Sequence, residues 1–185
     1  MDRPTLVIIS GPAGTGKTTL AHELARAIGC PAVCRDEIKE GMVHTVGTFE
    51  AGEGDPLNQR TLPVFFEVLR VLLENSVTVV AEAAFQNHVW APRLEPLFGI
   101  SDIRVVQCHT DIEVARSRFI ERGDRGAHAD DIWLVDWERR FSEFERLTLD
   151  VPSIDVDTTS GHVPSIEQLV AFVNDGRRPS TAPAG

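Results

Sequence analysis

The chain has few cysteines, and they do not form a recognisable ligand pattern. Cys30, Cys34 and Cys108 are the three cysteines among 185 residues, and each lies within or beside an apolar segment. They form neither a C-x-x-C pair nor a spacing with histidine that is typical of zinc sites. We therefore expect buried, reduced thiols in a cytoplasmic protein.

Long apolar runs are also absent. No stretch approaches the roughly 18 consecutive apolar residues that a membrane-spanning helix needs. The first residues, Met1–Pro4, lead directly into a short apolar segment and do not resemble a secretory signal. We therefore expect no membrane contact and a cytoplasmic location.

Positive charge is scarce as well. The sequence contains 18 lysines and arginines against 28 aspartates and glutamates, which gives a net charge of −10. A chain with this balance has no broad basic face along which a nucleic-acid backbone can lie. The charge therefore disfavours a polynucleotide partner without excluding one. Nothing in the sequence pattern indicates an oligomeric state.

A phosphate-binding motif is present near the N-terminus. Residues 11–18 read G-x-x-x-x-G-K-T and directly follow the apolar run Leu6–Ser10. Glycines let such a loop curl, so that its N–H groups and the next helix N-terminus point at phosphates. A purely structural glycine turn is the alternative. We predict that these residues bind a nucleoside triphosphate: Gly11, Pro12, Ala13, Gly14, Thr15, Gly16, Lys17, Thr18 and Thr19.

Two side chains of the motif have specific expected roles. Lys17 brings a full positive charge to the β- and γ-phosphates, and the hydroxyl of Thr18 is a ligand for Mg²⁺. The residues that follow continue as a helix over Lys17–Ile28, with apolar residues on one face. ATP is favoured over GTP, because the sequence contains no Asn-Lys-x-Asp motif for guanine recognition.

Apolar, β-rich segments alternate with longer helical patterns along the chain. This alternation predicts an α/β fold with a parallel sheet covered by helices on both faces. We interpret residues 1–175 as one domain and residues 176–185 as a disordered tail. The five predicted strands are Leu6–Ser10, Ala32–Cys34, Val77–Ala81, Ile103–Cys108 and Ile154–Val156.

Two further segments are interpreted from their patterns. Gly41–Leu57 is rich in glycine and poorly patterned, so it is either a mobile loop over an acceptor pocket or a plain surface excursion. Asp131–Leu147 has apolar residues at helical spacing, which predicts one long helix.

Acidic residues follow the second and third predicted strands, at the sheet edge where ligands bind. Asp36 can take the proton of an attacking hydroxyl, or it can simply cap a helix that begins at Glu37. Glu82 stands where phosphate-loop proteins orient Mg²⁺ through water, so it competes with Asp36 for the metal; a surface glutamate is the alternative. The next residues either line an acceptor pocket or only pack and cap: Phe85, Gln86 and His88.

The segment 116–126 combines arginines with a glycine-rich break. Guanidinium groups on a closing segment neutralise the charge that phosphoryl transfer spreads over the transferred oxygens. Arg118 and Arg122 are one helical turn apart and share a face, and Arg125 follows the break. We expect at least one of them to be catalytic. A solvated surface with ion pairs is the alternative.

At these residues the chain resembles the small P-loop kinases with an adenylate-kinase-like fold. This group includes phage-type polynucleotide 5′-kinase, chloramphenicol phosphotransferase and the zeta-toxin kinases, and the resemblance spans nearly the whole chain. It implies a three-layer, five-stranded fold with a short arginine-bearing lid. It also implies that Asp36 is the general base and that Arg122 bears on the transferred phosphate, helped by Arg118 or Arg125. The turn that contains Thr158 would lie against the adenine.

One departure from the polynucleotide kinases affects the expected acceptor. Those enzymes place an arginine three residues after the base to grip the substrate phosphate, whereas this chain has Lys39, which lacks the bidentate fork. We therefore predict an ATP- and Mg²⁺-dependent kinase whose acceptor is a hydroxyl of a small molecule. The alternatives are a 5′-hydroxyl polynucleotide kinase and an ATP-binding regulator without phosphotransfer. Motor-type AAA proteins share the loop but need more chain for a second helical subdomain.

Overall fold

A parallel sheet forms the centre of the protein, as the alternating pattern predicts. The computed structural model describes residues 3–52, 55–123, 126–128 and 130–175. The strands are Thr5–Ser10 (β1), Ala32–Cys34 (β2), Val79–Glu82 (β3), Asp102–His109 (β4) and Ser153–Asp157 (β5). They form one five-stranded, parallel sheet in the order β2-β3-β1-β4-β5.

Helices cover both faces of this sheet. No helix in the described part of the chain is both long enough and apolar enough to cross a bilayer. The helices are Lys17–Ile28 (α1), Arg35–Val46 (α2), Pro56–Glu74 (α3), Asn87–Leu94 (α4), Ile112–Glu121 (α5), Asp130–Val135 (α6), Trp137–Ser142 (α7) and Ile166–Asn174 (α8).

Alternate residues of the central strand β1 build two separate cores. Leu6 and Ile8 are fully buried in the core that α3 and α4 cover. Val7 and Ile9 are fully buried on the opposite face, against α1 and α8. Because side chains alternate between the faces of a strand, a strand that is covered on both faces must be apolar throughout. The run Leu6–Ile9 meets this requirement.

Strand register brings the predicted site residues to one edge of the sheet. Ile9 is the register partner of Glu82 on β3, and Glu82 is in turn the partner of Cys34 on β2. The phosphate loop leaves β1 directly after Ser10, so it begins beside Glu82. The start of α2 follows Cys34 at the same edge. Parallel pairing therefore places the loop, Glu82 and Asp36 close together.

The prediction of an irregular segment over Gly41–Leu57 is wrong in part. Helix α2 continues to Val46, and α3 already begins at Pro56. Asp55 starts α3, because its carboxylate accepts a hydrogen bond from the Asn58 N–H at 2.6 Å and proline follows at the first helical position. The connection between α2 and α3 is therefore shorter than the composition suggests.

The prediction of a single helix over Asp131–Leu147 is also wrong. The chain forms α6 and α7, which are separated at Asp136, and no helix follows α7 before β5. The break lets Trp137 pack against Phe119 of α5, with ring centroids 5.1 Å apart. A continuous helix would have to present its apolar residues along one face. The predicted tail 176–185 and the candidate residue Arg125 lie outside the described residues.

Candidate active site

The phosphate loop adopts a conformation that only glycine accommodates at one key position. Gly14 has a φ of +76°, and a Cβ there would overlap the carbonyl oxygen of Ala115 and lie 2.8 Å from its carbonyl carbon. L-residues rarely adopt such a φ, and a helix backbone cannot give way easily. The glycine pattern therefore serves both the turn of the loop and its packing against α5.

Hydrogen bonds fold the loop onto itself. The Lys17 ammonium donates to the Pro12 carbonyl oxygen at 2.8 Å, and the Thr15 hydroxyl donates to the same oxygen at 2.8 Å. Thr15 is fully buried, whereas Lys17 lines a large cavity. The loop is thus held from inside by Thr15, and the Lys17 ammonium lies at the rim that the phosphates would occupy.

The turn after β5 supports the loop from behind. The Thr158 hydroxyl donates to the Thr15 carbonyl oxygen at 2.8 Å, and the Thr158 N–H donates to the His109 carbonyl oxygen at 2.9 Å. Thr158 is buried, so its side chain positions the loop. That the turn containing Thr158 lies against the adenine stays a prediction.

Two oxygen groups converge where the sequence predicts Mg²⁺. The Thr18 hydroxyl donates to the Glu82 carboxylate at 3.1 Å, and Glu82 is buried. Burial raises the pKa of Glu82; the charge of Lys17 and the hydrogen bond from Thr18 oppose this rise, and the charge of Asp36 adds to it. A hydroxyl and a carboxylate are the hard oxygen ligands that Mg²⁺ prefers, so this pair fits the predicted metal.

Asp36 faces the same cavity from the other side. Helix α2 starts at Arg35 with Cys34 at its N-cap, so Asp36 lies inside the first turn and is not the cap. Its carboxylate accepts a hydrogen bond from the Arg35 guanidinium at 2.9 Å and is 40% exposed. Asp36, Lys17 and Glu82 line one cavity, as the general-base prediction requires.

The two described candidate arginines, Arg118 on α5 and Arg122 at its end, have different surroundings. Arg122 lines the cavity, lies 4.0 Å above the Phe119 ring and donates to the Asp130 carboxylate at 2.9 Å. Arg118 donates to the carbonyl oxygens of Thr158 and Thr159 at 2.9 and 3.1 Å. Arg122 therefore faces the cavity, and Arg118 joins α5 to the turn behind the loop.

The lid segment reaches across to α2. In the described residues beyond Gly123, the His128 imidazole lies 3.4 Å from the Glu40 carboxylate on α2. Asp130 holds Arg122 from the same segment. His128 and Asp130 thus line the same cavity as the loop and α2.

The cavity has a volume of about 670 Å³ and includes walls that the sequence reasoning missed. Helices α3 and α4 and the chain around α7 supply these residues: Asn58, Gln59, Trp90, Arg93, Arg140 and Phe144. The capping signal at Asp55 could have revealed Asn58 and Gln59, because a helix that leads into a parallel strand begins at the carboxyl edge of the sheet. Trp90 and Arg93 are three residues apart on α4, but no motif marks them.

The structure separates the three candidates that follow the third strand. Phe85 is fully buried, and its ring packs against Trp90 with centroids 4.6 Å apart. Gln86 lines the cavity. His88 is exposed and hydrogen-bonds to Glu145. Gln86 is therefore the candidate for acceptor contact, and Phe85 belongs to the core.

Lys39 stands where the resemblance to polynucleotide kinases implies a phosphate-gripping arginine, and here it belongs to a buried ion pair. Lys39 donates to the Asp55 carboxylate at 2.8 Å, and the two side chains are 4% and 6% exposed. Burial alone raises the pKa of Asp55, but hydrogen bonds from Lys39 and from the Asn58 N–H outweigh it, and the pKa lies below its ordinary value. The Lys39 charge is thus already neutralised inside the protein.

The Asp55→Asn substitution should destabilise the fold by about 3–5 kcal/mol, because it leaves the buried Lys39 ammonium without its counter-charge. Asparagine is itself a good N-cap, so the start of α3 is preserved. Urea unfolding at pH 7 measures the loss. Since Asp55 has a lowered pKa in the fold, its contribution is present above the unfolded pKa of about 3.9 and disappears as the pH falls through the lower folded value.

The double variant Asp55→Asn, Lys39→Met serves as the control for this prediction. It removes the unpaired charge and should recover most of the lost stability, because an apolar side chain tolerates the same burial. Equal instability of the single and the double variant would contradict the ion-pair explanation.

Comparison with known proteins assigns this geometry to a family. A family model described as an AAA domain matches residues 6–147, which is most of the chain. The chain belongs to this AAA domain family. No curated protein matches it.

Several solved structures share the fold. A proposed kinase from Chloroflexus aurantiacus J-10-fl is 25% identical, with a TM-score of 0.81 over 94% of this chain and 98% of that chain. A gluconokinase from Sinorhizobium meliloti 1021 is 17% identical, with a TM-score of 0.61 over 93% of each chain. A chain of the Pnkp1/Rnl/Hen1 RNA repair complex is 18% identical, with a TM-score of 0.57 over 81% of this chain and 51% of that chain.

These comparisons confirm two of the predictions made from the sequence. The resemblance to P-loop kinases is confirmed by the family and by the neighbouring structures. The predicted α/β fold, with a five-stranded parallel sheet between layers of helices, is confirmed as well. The comparisons support a nucleotide-binding phosphotransferase and do not identify its acceptor.

Proposed function

We propose that this AAA-domain protein is an ATP-dependent kinase that phosphorylates a hydroxyl of a small molecule. The observation that carries the proposal is the single cavity lined by Lys17, Asp36, Glu82 and Arg122. A phosphate-binding cation, a carboxylate base, a metal-orienting acid and a lid arginine are the parts that phosphoryl transfer requires.

Each part has a defined task in the transfer. The loop N–H groups and Lys17 bind the β- and γ-phosphates. The acceptor oxygen forms a bond to the γ-phosphorus while the bond to the β–γ bridging oxygen breaks, and ADP leaves. Asp36 takes the hydroxyl proton. Thr18, with Glu82 acting through water, would hold Mg²⁺, which neutralises phosphate charge when it is bound.

Arg122 supplies positive charge from the lid side. Its guanidinium faces the cavity while Phe119 and Asp130 fix its position. Preorganised donors of this kind stabilise the charge that develops on the transferred oxygens. Help from Arg118 or Arg125 stays a prediction, and the contacts of Arg118 support a role in holding the turn at Thr158.

Three properties of the cavity favour a small, polar acceptor. Its volume of about 670 Å³ lies within the range of small-molecule sites. Its walls combine the amides of Asn58 and Gln86 with the indole of Trp90, which suits a hydroxylated molecule. The Lys39 charge is held by Asp55, so it is not available to grip a substrate phosphate as in the polynucleotide kinases.

Asp36→Asn tests the proposal. We expect the variant to bind ATP normally and to lose about 10²-fold or more in kcat, because asparagine cannot accept the hydroxyl proton. The assay follows label from γ-labelled Mg·ATP into a panel of sugars and sugar acids, nucleosides, hydroxyl-bearing antibiotics and 5′-hydroxyl oligonucleotides.

Asp102→Asn is the matched control for this assay. It makes the same chemical change at an exposed position at the start of β4, on the opposite edge of the sheet. Transfer should be retained there. Unchanged transfer in Asp36→Asn would remove Asp36 as the base.

The same assay separates the two alternative functions. Salt-sensitive labelling of oligonucleotides alone would identify a 5′-hydroxyl polynucleotide kinase. Tight ATP binding without transfer to any acceptor class would favour an ATP-binding regulator. Transfer to a small molecule, lost in Asp36→Asn, would establish the proposed kinase.

A further inference from the structure

Three side chains outside the cavity carry donor atoms for a second cation. His22 lies on α1, Cys34 ends β2 and Glu37 lies in the first turn of α2. The imidazole Nε2 is 2.7 Å from the Glu37 carboxylate and 3.8 Å from the Cys34 sulfur. All three donor atoms lie within 4.8 Å of one another. Helix packing has gathered a nitrogen, a sulfur and an oxygen ligand at one point.

We propose that His22, Cys34 and Glu37 form a binding site for a thiophilic transition metal such as Zn²⁺. The separations approach those of a tetrahedral site, in which the sulfur and nitrogen ligands of zinc stand about 3.6 Å apart and nitrogen and oxygen ligands about 3.4 Å apart. The distance of 3.8 Å between the His22 Nε2 and the Cys34 sulfur needs almost no change. The distance of 2.7 Å between the same nitrogen and the Glu37 carboxylate has to lengthen slightly. His22 and Glu37 are half-exposed, so both can adjust and a cation can enter.

The electrostatics around the thiol favour a cation. Cys34 is buried and lies beside two carboxylates, because Glu82 is its register partner on β3 and Glu37 belongs to the same cluster. Negative charge on these carboxylates stabilises a positive ion there. Metal binding would release the thiol proton to solvent, and the thiolate would then be paired with the metal charge.

The donor set also determines which metal the site takes. Mg²⁺ prefers oxygen ligands and retains its water, whereas thiolate and imidazole ligands favour zinc, cobalt or copper. Three protein ligands leave a fourth position for water. The alternative is that His22 and Glu37 form only a hydrogen bond between α1 and α2, without any metal.

Occupation of this site should inhibit phosphoryl transfer, a consequence that rests on the proposed function. Cys34 is the register partner of Glu82, so the second metal would lie beside the acid that serves Mg²⁺. A divalent charge there competes for the Glu82 carboxylate. The protein would then be inhibited by zinc at saturating Mg·ATP.

Cobalt spectroscopy tests the binding site without any need for turnover. Titration of the full-length protein with Co²⁺ should produce a thiolate-to-cobalt charge-transfer band, and Zn²⁺ should remove it. Cys34→Ser should abolish the band, and His22→Ala, which leaves the core intact, should weaken Co²⁺ binding at least about tenfold. Cys30→Ser is the matched control and should behave as the unsubstituted protein. Absence of the band, or its persistence in Cys34→Ser, would overturn the proposal.

A kinase assay with added Zn²⁺ completes the test. We expect inhibition of the unsubstituted protein and of Cys30→Ser, and resistance in His22→Ala and Cys34→Ser. If the band forms but zinc leaves turnover unchanged, the metal site stands and its coupling to Glu82 is wrong. If the band forms and no acceptor is ever labelled, the kinase proposal fails while the metal site stands.

Discussion

The Lys17→Ala variant is expected to lose at least about 10³-fold in phosphoryl transfer and to bind ATP weakly. The Lys17 ammonium lies at the rim of the phosphate loop and lines the cavity that Asp36 and Glu82 share. No other lysine can replace it, because the chain's second lysine, Lys39, is held by Asp55. Single-turnover transfer and titration calorimetry with ATP measure the two losses.

Arg70→Ala is the control for this prediction, because it removes an exposed cation on α3 that pairs with Glu74. It should leave transfer and ATP affinity unchanged. Amine modification gives an independent readout. Lys39 is buried, so Lys17 is the lysine that a reagent should reach, and ATP should protect it. Near-normal transfer by Lys17→Ala would refute the assignment of the phosphate site.

We expect the Gly14→Ala substitution to lower the free energy of unfolding by about 3 kcal/mol and to remove most of the ATP affinity. The added Cβ has to overcome both a φ of +76° and an overlap with the backbone of Ala115. Because neither the loop backbone nor the α5 backbone can shift without a large energetic cost, we expect the loop to detach from α5. Urea unfolding and ATP titration measure the two effects.

Gly29→Ala is the matched control for the conformational part of this cost. Gly29 ends α1 with a φ of +81°, and a Cβ there would meet no atom within 4 Å. We expect a loss of about 1 kcal/mol and normal ATP affinity. Equal losses in the two variants would show that the contact with Ala115 is unimportant.

Local features of this protein are readable from the sequence because neighbouring residues produce them. The phosphate loop, β2 and α1 lie at the predicted positions, since their signals are glycine spacing and apolar periodicity within a few residues. The break at Asp136 was not predictable in this way. The break places Trp137 at the start of α7, where its ring contacts Phe119 on a separate helix, α5.

The predicted nucleotide side of the candidate site carries sequence motifs, and the proposed acceptor side carries none. Lys17 and Thr18 belong to a motif whose geometry follows from one strand, one loop and one helix, and Glu82 ends the strand that pairs with the strand before the loop. The acceptor walls come from α3 and α4, and their positions depend on how these helices pack on the sheet. A helix face carries no motif for an unknown acceptor, so Trp90 and Arg93 could not be identified beforehand.

The sequence by itself determined the fold class, the family resemblance and the position of the phosphate-binding motif, because each depends on local patterns. Only the tertiary structure decided that Lys39 is neutralised by Asp55, that Arg118 and Arg122 have different surroundings, and that Cys34 meets His22. These relations join residues from separate elements. Distances between such elements follow from packing in three dimensions, which no spacing along the chain encodes.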